Sequence, residues 1–151
     1  MADDQSTRGS GAWGPDTRRE PRTAVVTGAS AGIGRAVAIE LGRLGWRVAI
    51  GARRTDRLLE TASEIAAVGG TPFSHALDVT DERSVDEFFD AAVAAAGSVE
   101  VLVNNAGLGY LGAVAEISAD RLRKMIDTNL LGALLCRRCR HLPDDRAGHT
   151  G

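Results

Sequence analysis

Eight residues, Thr27-Gly28-Ala29-Ser30-Ala31-Gly32-Ile33-Gly34, carry glycines at a spacing suited to holding phosphate. Gly28 permits a tight turn out of a strand, and Gly32 lets the backbone approach a pyrophosphate. Gly34 lets the next helix pack closely on a sheet. A helix that starts within this turn, where Ser30 and Ile33 also lie, offers unpaired N–H groups and a partial positive charge to anionic oxygens. Taken alone, the pattern is an ordinary Gly-rich turn. Between a strand and a helix it reads as a dinucleotide-binding element.

Two further sets of residues bear on which dinucleotide. A ribose with a free 2′-hydroxyl calls for a carboxylate at the end of the second strand, and a 2′-phosphate calls for an arginine. The chain has Ala52 there, followed by Arg53 and Arg54. A guanidinium can meet a phosphate through two parallel hydrogen bonds, so the expected cofactor is NADP(H), with NAD(H) the lesser alternative. The bland reading is a pair of solvated arginines heading a helix. Asp78 and Val79 close the third apolar segment. Their carboxylate and backbone N–H match the amino group and a ring nitrogen of adenine, although a lone Asp there is more often a turn-former.

These residues need elements to position them. Residues 23–27 form a short apolar run, and Ile33, Val37, Leu41 and Leu44 then recur at helical spacing up to Gly45. Residues 47–52 predict a second strand. A helix follows with Thr55 as its N-cap and Leu58, Ala62 and Ile65 on one face. Residues 71–79 predict a third strand, in which Pro72 requires an edge or the first positions. Ser84 and Glu87 suggest a capping box for a helix with Val85, Phe88, Phe89, Ala92 and Ala96 inward. A fourth strand, residues 99–103, runs into Asn104-Asn105-Ala106-Gly107. The last helix, from about Ser118, has Leu122, Ile126, Leu130 and Leu134 along one side. Strands alternating with helices predict an α/β fold, a doubly wound parallel sheet of Rossmann type. Residues 1–22, Trp13 included, are polar and aperiodic and read as a disordered arm.

The totals exclude several classes. With 151 residues and 44% hydrophobic content, the chain amounts to about one domain with a core. A net charge of −2 gives no whole-chain field for nucleic acid or an anionic membrane. No apolar run reaches the roughly 18 residues of a membrane span, and no signal peptide is evident. Two cysteines make no disulfide framework, so a reducing, cytoplasmic setting is expected. Cys136, Cys139, His141 and His149 miss the usual zinc spacings, and no metal site is assigned.

Thr27–Gly34, Asp78-Val79, Asn104–Gly107 and Asn129 together resemble the short-chain dehydrogenase/reductase family, over residues 23–135. The resemblance implies that Asn105, Ala106 and Gly107 line the cofactor and stabilise the sheet, and that Arg53 goes with NADP preference. It gives Asn129 a catalytic part, holding a water in a proton relay. It also implies a small carbonyl or alcohol substrate and homo-oligomers among complete relatives. The family's serine and Tyr-x-x-x-Lys pair have no match. Tyr110 and Lys124, the only tyrosine and the only lysine, stand fourteen residues apart.

Residues 136–151 lack a strand and put Arg137 where the last helix should be apolar, so they read as a frayed or out-of-frame tail. The expectation is a fold cut short after its fourth strand and following helix, leaving residues 99–103 as a bare sheet edge. Translating the coding DNA downstream in all frames should then reveal a Ser…Tyr-x-x-x-Lys segment. Its absence from every frame would sink the truncation reading. The competing functions are an NADP(H)-dependent oxidoreductase represented by its nucleotide half, a non-catalytic NADP(H)-sensing module, and a non-functional gene fragment.

Overall fold

A computed structural model describes residues 21–139. Trp13, His141, His149 and most of the expected arm and tail lie outside the described residues.

Four strands form one parallel sheet in the order β3-β2-β1-β4. They are β1 (Thr23–Thr27), β2 (Arg47–Ala52), β3 (Thr71–Ala76) and β4 (Val101–Val103). In β1 every residue is buried, as expected of a parallel strand covered on both faces. Alternate side chains feed two cores. Val26, Val48 and Ile50 pack with Ala38 of α1 (Gly32–Arg43) and with Leu58 and Ile65 of α2 (Thr55–Ala67). On the other face, Val25 and Ala49 pack with Phe88, Phe89 and Ala92 of α3 (Glu82–Ala96). Cys136 joins that second core from α5 (Gly132–Cys139). The doubly wound parallel architecture is therefore as the sequence predicts. Pro72 is accommodated because β3 is the edge strand of this sheet, pairing among the described residues with β2 alone.

The differences are local. β3 stops at Ala76, so Asp78 and Val79 stand in the turn beyond it, and β4 begins at Val101 rather than at residue 99. In α1 the buried positions are Gly34, Ala38 and Gly42, while Ile33 and Leu44 face solvent. Small residues take the fully buried positions there, because α1 lies close against the sheet and α2, while Val37 and Leu41 of the expected stripe are half-buried against the same core. Thr55 is the first helical residue of α2, and its N-cap position is Arg54. The Ser84–Glu87 capping box is not formed. Asp81 caps α3 by accepting from the Arg83 N–H, and Glu87 pairs with the Arg83 side chain at 2.8 Å.

The largest departure is in the last helix. Ser118 caps α4 (Ala119–Ile126) as expected, but α4 has no buried residue. Leu122, Ile126, Leu130 and Leu134, expected inward, are exposed. A π turn at Asp127–Leu131 separates α4 from α5. Such a turn advances the chain by an extra residue and resets the helical phase. Inward positions in α5 thus become Gly132 and Cys136, and Arg137 turns to solvent. The helix runs through Cys136 to Cys139, past the boundary expected at 135.

Candidate functional site

The turn after β1 is built as its glycines require. Gly28 has φ +69°, and its N–H donates to the Gly51 carbonyl of β2 at 2.7 Å. A Cβ on Gly28 would lie 2.8 Å from the Ala106 Cα. Gly32, at φ +59°, has nothing within 4 Å of a hypothetical Cβ. There, conformation alone favours glycine, and the space beside it is open.

α1 begins at this turn without a cap. Ala31, at its N-cap position, provides no side-chain acceptor, and the first turn contains no acid. The leading N–H groups of Gly32, Ile33 and Gly34 have no preceding turn to donate to. By contrast, Asp81 caps α3 and Ser118 caps α4. The open end of α1 is a place for an anion.

The wall from β4 is tied to the same turn. The Thr27 hydroxyl accepts from the N–H groups of Asn105 (3.1 Å) and Ala106 (3.0 Å) and lies 3.4 Å from the Val103 carbonyl. The Asn105 side-chain amide donates to the Thr27 and Gly28 carbonyls at 3.1 and 3.2 Å. Gly34 is needed here because a Cβ on it would collide with that Asn105 amide and with the Gly28 carbonyl. Asn129, in the π turn, pairs with the backbone of Leu108. Its Oδ1 accepts the Leu108 N–H at 2.9 Å, and its Nδ2 donates to the Leu108 carbonyl at 2.8 Å.

The far wall comes from the ends of β2 and β3. Arg54 donates to the Ser30 hydroxyl at 3.1 Å, joining the second strand's end to the glycine turn. Arg53 is exposed beside it. Asp78 Oδ1 accepts from both the hydroxyl and the N–H of Thr80, at 2.7 and 3.0 Å. Burial pushes the Asp78 carboxyl upward. The two Thr80 bonds and the Arg53 charge outweigh it and hold the group below its ordinary value.

One crevice results, at the carboxyl ends of the strands, where the order reverses between β1 and β4. Gly28, Ser30, Arg53, Arg54, Asp78, Val79, Asn105, Ala106 and Gly107 all line it. Gly32, Ile33 and Gly34 form the helix start beside it, with Ile33 76% exposed. Asn129 stands behind the wall, against Gly107 and Leu108. Sequence reasoning missed the hydroxyls that hold the walls, Thr27, Thr80 and Ser84. Their signal was position, since Thr27 closes β1 and Thr80 and Ser84 flank the turn after β3.

The cysteines take no part. Among the described residues no group of three or more His, Cys, Asp or Glu side chains is placed to hold a metal ion. Burial raises both thiols to about 11, and for Cys139 the Asp86 carboxylate at 2.9 Å adds to it. Thiolate is the reactive form, so alkylation of either cysteine at pH 7 should run more than tenfold slower than that of free cysteine. Mass-spectrometric counting of iodoacetamide adducts over time checks this.

Comparison with known proteins agrees with the geometry. The model of the short chain dehydrogenase family matches residues 22–149. An L-rhamnose 1-dehydrogenase (NAD(P)(+)) of Azotobacter vinelandii is 45% identical over 116 residues, covering 74% of this chain and 45% of its own. An alcohol dehydrogenase of Thermococcus sibiricus, solved with 5-hydroxy-NADP, superposes with a TM-score of 0.77 at 43% identity. The match covers 80% of this chain and 52% of that one. An actinorhodin polyketide ketoreductase solved with NADPH gives 0.76 at 34% identity, over 79% of this chain and 46% of that one. The chain thus spans about half the length of these relatives. Four parallel strands, a glycine turn opening an uncapped helix, and a family match over most of the sequence agree: the chain belongs to the short chain dehydrogenase family.

Proposed function

We propose that the crevice binds NADP(H), and that the chain is the nucleotide-holding part of an oxidoreductase acting on a small carbonyl or alcohol substrate. The observation that carries this is the uncapped start of α1 beside a crevice that also receives two arginines from the end of β2. The donors fit the group. Open N–H groups at α1 suit a pyrophosphate. Arg53 and Arg54 suit a 2′-phosphate, and Ala52, buried at the end of β2, supplies no carboxylate for a free ribose hydroxyl. The 5-hydroxy-NADP and NADPH held by the structural relatives support the same choice. When bound, the nicotinamide supplies or accepts a hydride. The chain's own part is to hold the nucleotide and fix the wall beside it. Asn129 keeps an Oδ1 lone pair and one N–H beyond its Leu108 bonds, room for the water of a proton relay. A reducing, cytoplasmic setting fits the two free thiols.

A second reading is an NADP(H)-responsive module, in which the tyrosine and lysine that this chain holds have no catalytic part. Tyr110 lies after β4 with its ring 5.1 Å from the Arg121 guanidinium, while Lys124 belongs to α4. Titration of the purified chain with NADPH and NADH, read by nucleotide fluorescence, tests the cofactor. NADPH should bind at least tenfold more tightly, and equal affinities would remove the role given to the arginines. Assaying the same sample with a panel of aldehydes and ketones separates the two readings, since turnover would exclude the second. Absence of any nucleotide binding would favour a non-functional fragment.

Arg53 should dominate the preference, because Arg54 already donates to Ser30. A hydrogen bond to a charged group contributes roughly 1.5–3 kcal/mol. Arg53→Ala should therefore weaken NADPH binding about 10- to 100-fold and leave NADH binding nearly unchanged.

A further inference from the structure

We propose that Thr80 is a positioning residue that fixes which oxygen of Asp78 meets the nucleotide base, and thereby sets selectivity for adenine. The inference rests on the NADP(H) reading above and names a residue through which the base end of that site works.

Three of the four polar groups of Asp78 are bonded within the protein. Its N–H donates to the Ser84 hydroxyl at 3.0 Å, and its carbonyl accepts the Asp81 N–H at 3.1 Å. Oδ1 accepts twice from Thr80, at 2.7 and 3.0 Å. Among the described residues only Oδ2 has no protein partner. Next in the chain, the Val79 N–H likewise has no acceptor among the described residues, although Val79 is 6% exposed. Buried backbone donors are rarely left unmatched in folded proteins. Both residues line the crevice.

An acceptor beside a donor is complementary to the edge of adenine, which offers an amino donor next to a ring-nitrogen acceptor. Hypoxanthine reverses both, with a carbonyl oxygen beside a ring N–H. The pair can discriminate only if the carboxylate is held in one orientation. A carboxylate only accepts, but an unheld one can swing an oxygen from the amino-group position toward the ring N–H of hypoxanthine. Two bonds from one residue to one oxygen prevent that rotation, and the hydroxyl makes the shorter of the two. Ser84 steadies the backbone beneath. Thr80 itself is exposed at the surface of the turn, so it can be changed without opening the core.

The test uses the full chain and two nucleotides, NADPH and its hypoxanthine analogue, with dissociation constants read by nucleotide fluorescence. Wild type should favour NADPH by about tenfold or more. Thr80→Val, which keeps the N–H and removes the hydroxyl, should reduce that ratio at least threefold, and Thr80→Ser should restore it. A merely structural role would raise both constants together and leave the ratio unchanged, which would overturn the proposal. Failure of Thr80→Ser to restore the ratio would do the same. If wild type binds both nucleotides equally, the base-reading role of Asp78 falls and this inference with it. If wild type binds neither, the NADP(H) reading is what has failed.

Discussion

Replacing Gly28 with alanine is expected to destabilise the fold by about 2–5 kcal/mol and to abolish measurable nucleotide binding. Two costs coincide at this position. Gly28 has φ +69°, where a residue with a Cβ loses roughly 1–2 kcal/mol. The new Cβ would also stand 2.8 Å from the Ala106 Cα, a backbone atom that cannot rotate away, and overpacking of that kind costs about 1–3 kcal/mol. Relief would require separating the glycine turn from the β4 wall. That movement would strain the bonds that Asn105 makes to the Thr27 and Gly28 carbonyls. Gly32→Ala is the control, since Gly32 shares the left-handed conformation but has no atom within 4 Å of a Cβ. It should cost only about 1–2 kcal/mol. Urea unfolding of the three proteins, with NADPH titration alongside, checks both effects. Equal losses for the two variants would mean that contact between the turn and β4 contributes nothing.

That contact explains what was legible in the sequence and what was not. The glycine turn, the arginines after β2 and the Asp78-Val79 pair could be located because each is a local pattern beside a strand end. Their convergence followed from parallel topology, which brings every strand's carboxyl end to one side. The hydroxyl bonds could not be located the same way. Thr27 reaches Asn105 across 78 residues, and nothing near Thr27 announces that partner. Ser84 looked like half of a capping box, yet its oxygen accepts the Asp78 N–H and Asp81 caps the helix instead. Two acceptors competed for the role, and the geometry of the turn decided between them.

The last helix shows a different failure. Leu122, Ile126, Leu130 and Leu134 follow helical spacing faithfully, so periodicity alone assigns them to a core. Periodicity assumes one continuous α phase, which the π turn at Asp127–Leu131 breaks. It also assumes that something lies opposite the stripe, and among the described residues α4 buries nothing. In α1 the error ran the other way. Glycine and alanine at the inward positions gave little hydrophobic signal, although close approach of the helix is what needs them.

Phe88 couples the core to the crevice, and Phe88→Ala should have the largest effect on stability, about 3–5 kcal/mol. Its side chain is fully buried, edge-on to Phe89 with ring centroids 5.3 Å apart. It also occupies the space beside Gly51, where a Cβ would meet Phe88 at 2.8 Å and Leu77 at 2.7 Å. The Gly51 carbonyl receives the Gly28 N–H at 2.7 Å, and Leu77 both packs in this core and lines the crevice next to Asp78. Removing the ring leaves a cavity under Leu77 and under the strand that holds the glycine turn. Relaxation into that cavity should draw Leu77 inward and shift Asp78, which follows it in the chain. Nucleotide binding should weaken severalfold even at temperatures where the variant stays folded. Phe88→Leu, which keeps most of the volume, should cost less than half as much in urea unfolding and leave the dissociation constant for NADPH close to wild type. A Phe88→Ala protein that lost stability yet kept wild-type affinity would show that the core and the crevice are independent.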